Sequence, residues 1–157
     1  MIEPKHLLEH VIRPVLKDLD LWSEPAERLL LGTACQESEC GRWLVQLGDG
    51  PALGIYQMEP ATERDIWDNF LEHNDDLAMK VYKWAQEYNP SEKTMIGNLY
   101  YATAMCRVHY LRAPGAIPDS LPGQAGYWKQ YYNSMLGKGT VQEYMNHWNQ
   151  FIPPGTI

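Results

Sequence analysis

A chain of 157 residues, 45% of them hydrophobic, has the length of one domain and enough apolar material for a substantial core, which excludes a disordered or low-complexity protein. Its net charge of −7, from 20 acidic and 13 basic side chains, argues against a nucleic-acid backbone or an anionic membrane surface as partner. Cys35, Cys40 and Cys106 form an odd set without metal-ligand spacing, so the sequence points to buried free thiols, no metal and no cofactor.

The N-terminus, M-I-E-P-K-H-L-L-E-H-V-I-R-P-V-L, is broken by charges and prolines where a signal peptide would be apolar, and no window reaches membrane-spanning length. The expectation is one domain over residues 1–157, without a signal peptide, made in the cytoplasm and not inserted in a membrane. Leu7, Leu8, Val11, Ile12, Val15, Leu16 and Leu19 repeat as one face of an amphipathic helix beginning at Pro4, which Pro14 can kink. Ser23 predicts an N-cap with Pro25 in the first turn. Ala26, Leu29, Leu30, Thr33 and Ala34 then carry a second helix that Gly41 ends. Glu37 follows Leu30 by seven residues and Ala34 by three, so the spacing puts it on the buried face of that helix.

A glycine-punctuated loop over residues 48–54 leads into L-G-I-Y-Q-M, read as irregular or as part of a small hairpin within 43–58. Pro60 opens a third helix with Ile66, Trp67, Phe70 and Leu71 as its core stripe. A fourth carries Leu77, Val81 and Trp84 and stops before Asn89-Pro90. A fifth, from 91 to about 110, places Ile96, Leu99, Tyr100, Thr103 and Cys106 at helical spacing. Residues 112–123, with three prolines and two glycines, read as a loop. Residues 124–134 read as a sixth helix with Ala125, Trp128, Tyr131 and Tyr132, and Thr140-x-x-Glu143 is a capping box opening a seventh through Trp148. The predicted fold is mainly α, about seven helices, with an irregular loop or small β-hairpin after the second.

An acid at the C-terminal end of a buried helix face is stripped of water and meets the negative end of the helix dipole, so its pKa rises. Glycosidic bond cleavage needs such a protonated carboxyl, because the leaving oxygen must receive a proton as the bond breaks. Glu37 is therefore the candidate general acid, against the plainer reading of a structural acid bonded to loop amides. Asp49 and Glu59 flank the turn G-P-A-L-G and are candidates for a second carboxylate that holds a water. Gly54 would let backbone approach a sugar closely, and Gln57 offers both an amide donor and an acceptor.

Glu37-Ser38, Gly48-Asp49 and A-L-G-I-Y-Q-M-E-P-A-T together resemble the catalytic segment of the lysozyme-like superfamily that contains the soluble lytic transglycosylases and goose-type lysozymes. In that pattern E-S is followed by a G-hydrophobic-x-Q segment and often by P-x-T. The resemblance puts the catalytic acid on Glu37, and it puts Ser38, Gly54, Tyr56 and Gln57 in the stretch that holds substrate. The two further acidic positions of the goose-type branch fall on Asp49 and Glu59, the second standing where Asp is more usual. The aromatic-Tyr-Asn motif of the family is similar to Tyr131, Tyr132 and Asn133, which implies that the Tyr132 hydroxyl orients Glu37 or the sugar near it. The small residue and glycine usual after Asn are replaced by Ser134, Met135 and Leu136, with Gly137 late. The similarity covers residues 26–62 well and the rest to Trp148 loosely.

The resemblance implies a muramidase acting on the MurNAc-β-1,4-GlcNAc bond of the peptidoglycan glycan strand. Water as nucleophile gives a reducing sugar, and the muramyl 6-hydroxyl gives a 1,6-anhydro product. The short chain and motif style resemble phage-type members, which reach the wall through lysis machinery or as a virion component. No oligomeric state is specified. The alternative is an inactive glycan-binding or structural module of a virion or secretion apparatus, with Trp43, Tyr56, Trp128 and Tyr132 stacking sugars.

Overall fold

The computed structural model, which describes residues 1–134 and 136–157, is mainly α-helical. Five of its helices start at a residue whose side chain accepts from a free backbone N–H of the first turn. Pro4–Leu7, Leu8–Ile12 and Arg13–Asp18 form one helix, α1, whose middle part is π-wound. Pro14 explains the winding: it has no N–H to give, and a wider turn ahead of it relieves its ring from the carbonyl four residues back.

Helix α2, Glu24–Ser38, begins as expected, with the Ser23 hydroxyl accepting from the Ala26 N–H at 3.1 Å. It ends earlier than Gly41. Glu39 and Cys40 are already left-handed, with φ of 47° and 54°, and the Cys40 N–H closes back on the Ala34 carbonyl. The bond spans six residues, one more than the closing bond of a Schellman cap, because two left-handed residues and not one follow the helix. The segment that follows is irregular: no strand forms among the described residues, and the expected hairpin is reduced to isolated bridges pairing Val45 with Leu53 and Leu53 with Met58.

Helix α3, Pro60–Asn69, has its proline in the first turn as predicted, and it buries Ile66. Its Glu63 is also buried and accepts from the Tyr101 hydroxyl at 2.6 Å. Helix α4, Asp75–Ala85, starts at Asn74, whose side chain caps the Leu77 N–H. The single helix expected from 91 to 110 is instead a turn, Thr94–Gly97, and then α5, Leu99–Leu111. Asn98 causes the break. Its Oδ1 caps the Tyr101 N–H, and its Nδ2 donates to the Trp84 and Ala85 carbonyls that end α4. Those bonds replace helical continuity at that residue.

Every residue from Tyr101 to Val108 is buried, because α1, α2, α3 and α4 all pack around α5. The loop expected to run to 123 ends at Ser120, whose hydroxyl caps the Gly123 N–H, so α6 spans Leu121–Trp128 with Pro122 in its first turn. It continues into a π-wound turn, Lys129–Asn133. The capping box of Thr140 and Glu143 is formed, and it opens α7, Val141–Phe151. Helix α7 packs on α2 so closely that a Cβ at Gly32 would lie 2.0 Å from the Tyr144 hydroxyl. The core runs from Leu7 to Ile152 and includes all three cysteines as free thiols. Among the described residues no helix is long and apolar enough to cross a membrane.

Candidate active site

The last turn of α2, the irregular segment 43–59, His109 of α5 and the turn after α6 enclose a groove of about 830 Å³. Glu37 stands in it, half-buried, near the C-terminal end of α2. The Trp128 indole N–H donates to Glu37 Oε1 at 2.8 Å. Trp128 itself is fully buried against Tyr144 and delivers that donor from a fixed position. Among the described residues, no cation forms an ion pair with Glu37. Burial pushes its carboxyl up to about 7, and the indole N–H opposes that rise only in part. At neutral pH a large fraction of Glu37 therefore carries a proton it can give away.

Gln57, Glu59, Tyr132 and Asn133 line the same groove. Gln57 is left-handed, at φ 48°, and its side-chain amide donates to the Gly54 carbonyl at 2.8 Å. Glu59 is exposed at the N-cap of α3, facing the groove as its second carboxylate among the described residues. Asn133 accepts from Lys129 Nζ at 2.7 Å, and the same ammonium donates to the Gly137 carbonyl, which ties down the groove edge.

Six expectations are corrected. The Ser38 hydroxyl is fully buried and donates to the Ile55 carbonyl at 2.6 Å, so it staples the helix end to the following segment and is not free for substrate. Gly54, at φ +77°, is needed because a Cβ there would lie 2.5 Å from the Met95 carbonyl; the close approach is to backbone and not to sugar. The Tyr56 ring is core, its hydroxyl on Thr103, and only its carbonyl reaches toward the site. Tyr132 donates to that Tyr56 carbonyl at 2.7 Å, which removes the expected contact with Glu37 only, since the residue, its ring stacked on Tyr110, still lines the groove. Asp49 is exposed on the loop and does not line the groove. Trp128, buried, has no free face for a sugar either, whereas Trp43 lines the groove.

One role and one residue are not anticipated from sequence. Trp128 is expected in a helix or as a sugar platform and not as the donor to Glu37, yet a buried indole must hand its N–H to an acceptor, and that requirement is the available signal. His109 lines the groove with Nε2 on the Tyr131 carbonyl at 3.1 Å, and burial lowers its pKa, so its ring is neutral at pH 7. Nothing in the local sequence marks it. Among the described residues no cluster of three or more His, Cys, Asp or Glu could hold a metal ion. Compared with protein families, with characterised proteins and with solved structures, the chain matches none.

Proposed function

We propose that the chain is a peptidoglycan-cleaving muramidase of the lysozyme-like superfamily, acting as one domain on the MurNAc-β-1,4-GlcNAc bond with Glu37 as general acid. The observation that carries this reading is a glutamic acid in a groove of about 830 Å³, its carboxyl pushed up to about 7 by burial, with one oxygen held by Trp128 and no ion pair to a cation among the described residues. With Oε1 accepting the indole N–H, the proton resides on Oε2 and is delivered to the glycosidic oxygen as the bond breaks. A groove of about 830 Å³ has the size of a ligand site, and its wall offers amide groups from Gln57 and Asn133 and an aromatic face from Trp43. Neutral hydrogen bonding of this kind suits a glycan strand and does not depend on steering by the protein's net charge.

Asp49 lies off the groove, which leaves Glu59 as the carboxylate to steady a nucleophilic water. The muramyl 6-hydroxyl competes for the same position. The substrate lies outside the cytoplasmic membrane, so this reading includes delivery by phage lysis machinery or with a virion.

Digestion of purified peptidoglycan, with released muropeptides resolved by mass, tests the reading. The wild type is expected to release fragments, and Glu37→Gln to lower the rate by about 10²-fold or more, the contribution of a general acid. Reducing-end products identify water as nucleophile, and products lighter by one water identify the 6-hydroxyl. Release should fall as pH rises above about 7, where Glu37 loses its proton. No release by either protein, across several wall types and pH values, overturns the enzyme and leaves a glycan-binding or structural module.

A further inference from the structure

We infer that Cys35 and Cys40 are a modification site: they close as an intramolecular disulfide that pins the turn on which Glu37 stands. The inference is independent of what Glu37 does. The left-handed cap of α2, with the Glu39 N–H on the Cys35 carbonyl and the Cys40 N–H on the Ala34 carbonyl, folds the chain back and brings the two thiols together. Their sulfurs are 2.7 Å apart. An apolar packing contact settles at about 3.5–4.0 Å, so this pair is far inside the distance at which two side chains merely touch. Both side chains are fully buried. Cys106 is a third buried free thiol, on α5, and the sulfur contact the fold makes is between Cys35 and Cys40.

Closure is thiol–disulfide exchange with a small disulfide oxidant such as oxidised glutathione. One cysteine, as its thiolate, attacks the oxidant's sulfur and expels one thiol; the second, again as thiolate, attacks the mixed disulfide and expels the other. Two S–H protons leave, one S–S bond forms in the protein, and the oxidant's disulfide is reduced to two thiols. The adjacent Cys40 thiol and burial hold the Cys35 thiol far above its ordinary pKa, and both sulfurs are shut off from an oxidant once the chain is folded. The bond therefore forms as the chain folds, in oxidising surroundings.

The test is refolding of the full reduced chain at graded ratios of oxidised to reduced glutathione, followed by alkylation of free thiols after unfolding and then by trypsin. Cleavage after Arg28 and Arg42 puts both cysteines in one peptide, and cleavage after Lys93 and Arg107 puts Cys106 in another. With oxidised glutathione in excess, the 29–42 peptide is expected unalkylated and lighter by two hydrogens, while Cys106 is alkylated. The oxidised protein is expected to melt several degrees above the reduced one, and Cys40→Ala to abolish that difference. Alkylation or glutathionylation of both cysteines at every ratio, or a bridge to Cys106, overturns the assignment.

Discussion

Helix α2 carries two glutamates ten residues apart, each receiving an indole N–H at 2.8 Å, and the protein holds them in opposite states. Glu27, in the first turns, is buried, which by itself would raise its pKa. The Arg13 fork at 2.8 Å on both oxygens, the Trp22 N–H and the nearby Lys17 outweigh burial, so its carboxyl lies below the ordinary range. Glu37, near the other end, has the indole and, among the described residues, no ion pair to a cation, and burial wins, up to about 7. The helix dipole works in the same direction at both ends, favouring charge at the first and disfavouring it at the second. One hydrogen bond of the same kind at each site is not what separates a structural carboxylate from a proton donor. The cation is.

Removing that cation is the largest perturbation available. Arg13→Met strands a buried charge and should cost about 3 kcal/mol at pH 7, the low end for such pairs because Arg13 is a third exposed. Denaturant unfolding measures it. The sign follows from the depressed pKa: the pair stabilises the fold above the ordinary carboxylate value of 4.5 and loses that contribution as pH falls through the folded value. Wild type and variant should therefore converge in acid. A cost below about 1 kcal/mol at pH 7 would mean that the fork does not keep Glu27 charged.

The opposite sign is expected at the other end. The folded state holds the Glu37 proton more tightly than the unfolded chain does, so ionised Glu37 destabilises the fold. Glu37→Gln keeps an acceptor for Trp128 and removes the charge. At pH 8 it should stabilise by about 3 kcal/mol, from a shift between 4.5 and about 7. The gain should shrink as pH falls through 7 and vanish below about 4.5. A variant that gains stability while losing turnover is the trade expected of a functional group held in an unfavourable state.

The smallest effects come from the indoles. Trp128→Phe removes the one group that opposes the rise at Glu37 and should raise its pKa by about one unit, the worth of a hydrogen bond to a charged group. Trp22→Phe should leave Glu27 ionised at neutral pH, because the Arg13 fork remains. Side-chain carboxyl titration of the two variants checks both outcomes, and a Glu27 that carries its proton at neutral pH in Trp22→Phe would contradict the role given to Arg13.

Local chemistry explains which parts of the fold were legible in sequence. Ser23, Pro60 and the Thr140–Glu143 box act on their own helix ends, so their meaning does not depend on the rest of the chain. Asn98 was not legible as a break because its partners, the Trp84 and Ala85 carbonyls, arrive from another helix. Glu37 could be placed from its spacing to Leu30 and Ala34. Its loop neighbours could not: Ser38, Gly54 and Tyr56 have the polar or small character of binding residues, yet they are used up in holding the segment together. Sequence distance likewise hid the partner of Glu37, since Trp128 lies 91 residues away.

The most direct test is an NMR titration of the Glu27 and Glu37 side-chain carboxyls in the wild-type protein. Glu37 titrating near 7, with Glu27 in the same sample below the ordinary carboxylate range, is the predicted result. Both groups titrating together near 4.5 would contradict it and leave Glu37 without a proton to donate at neutral pH.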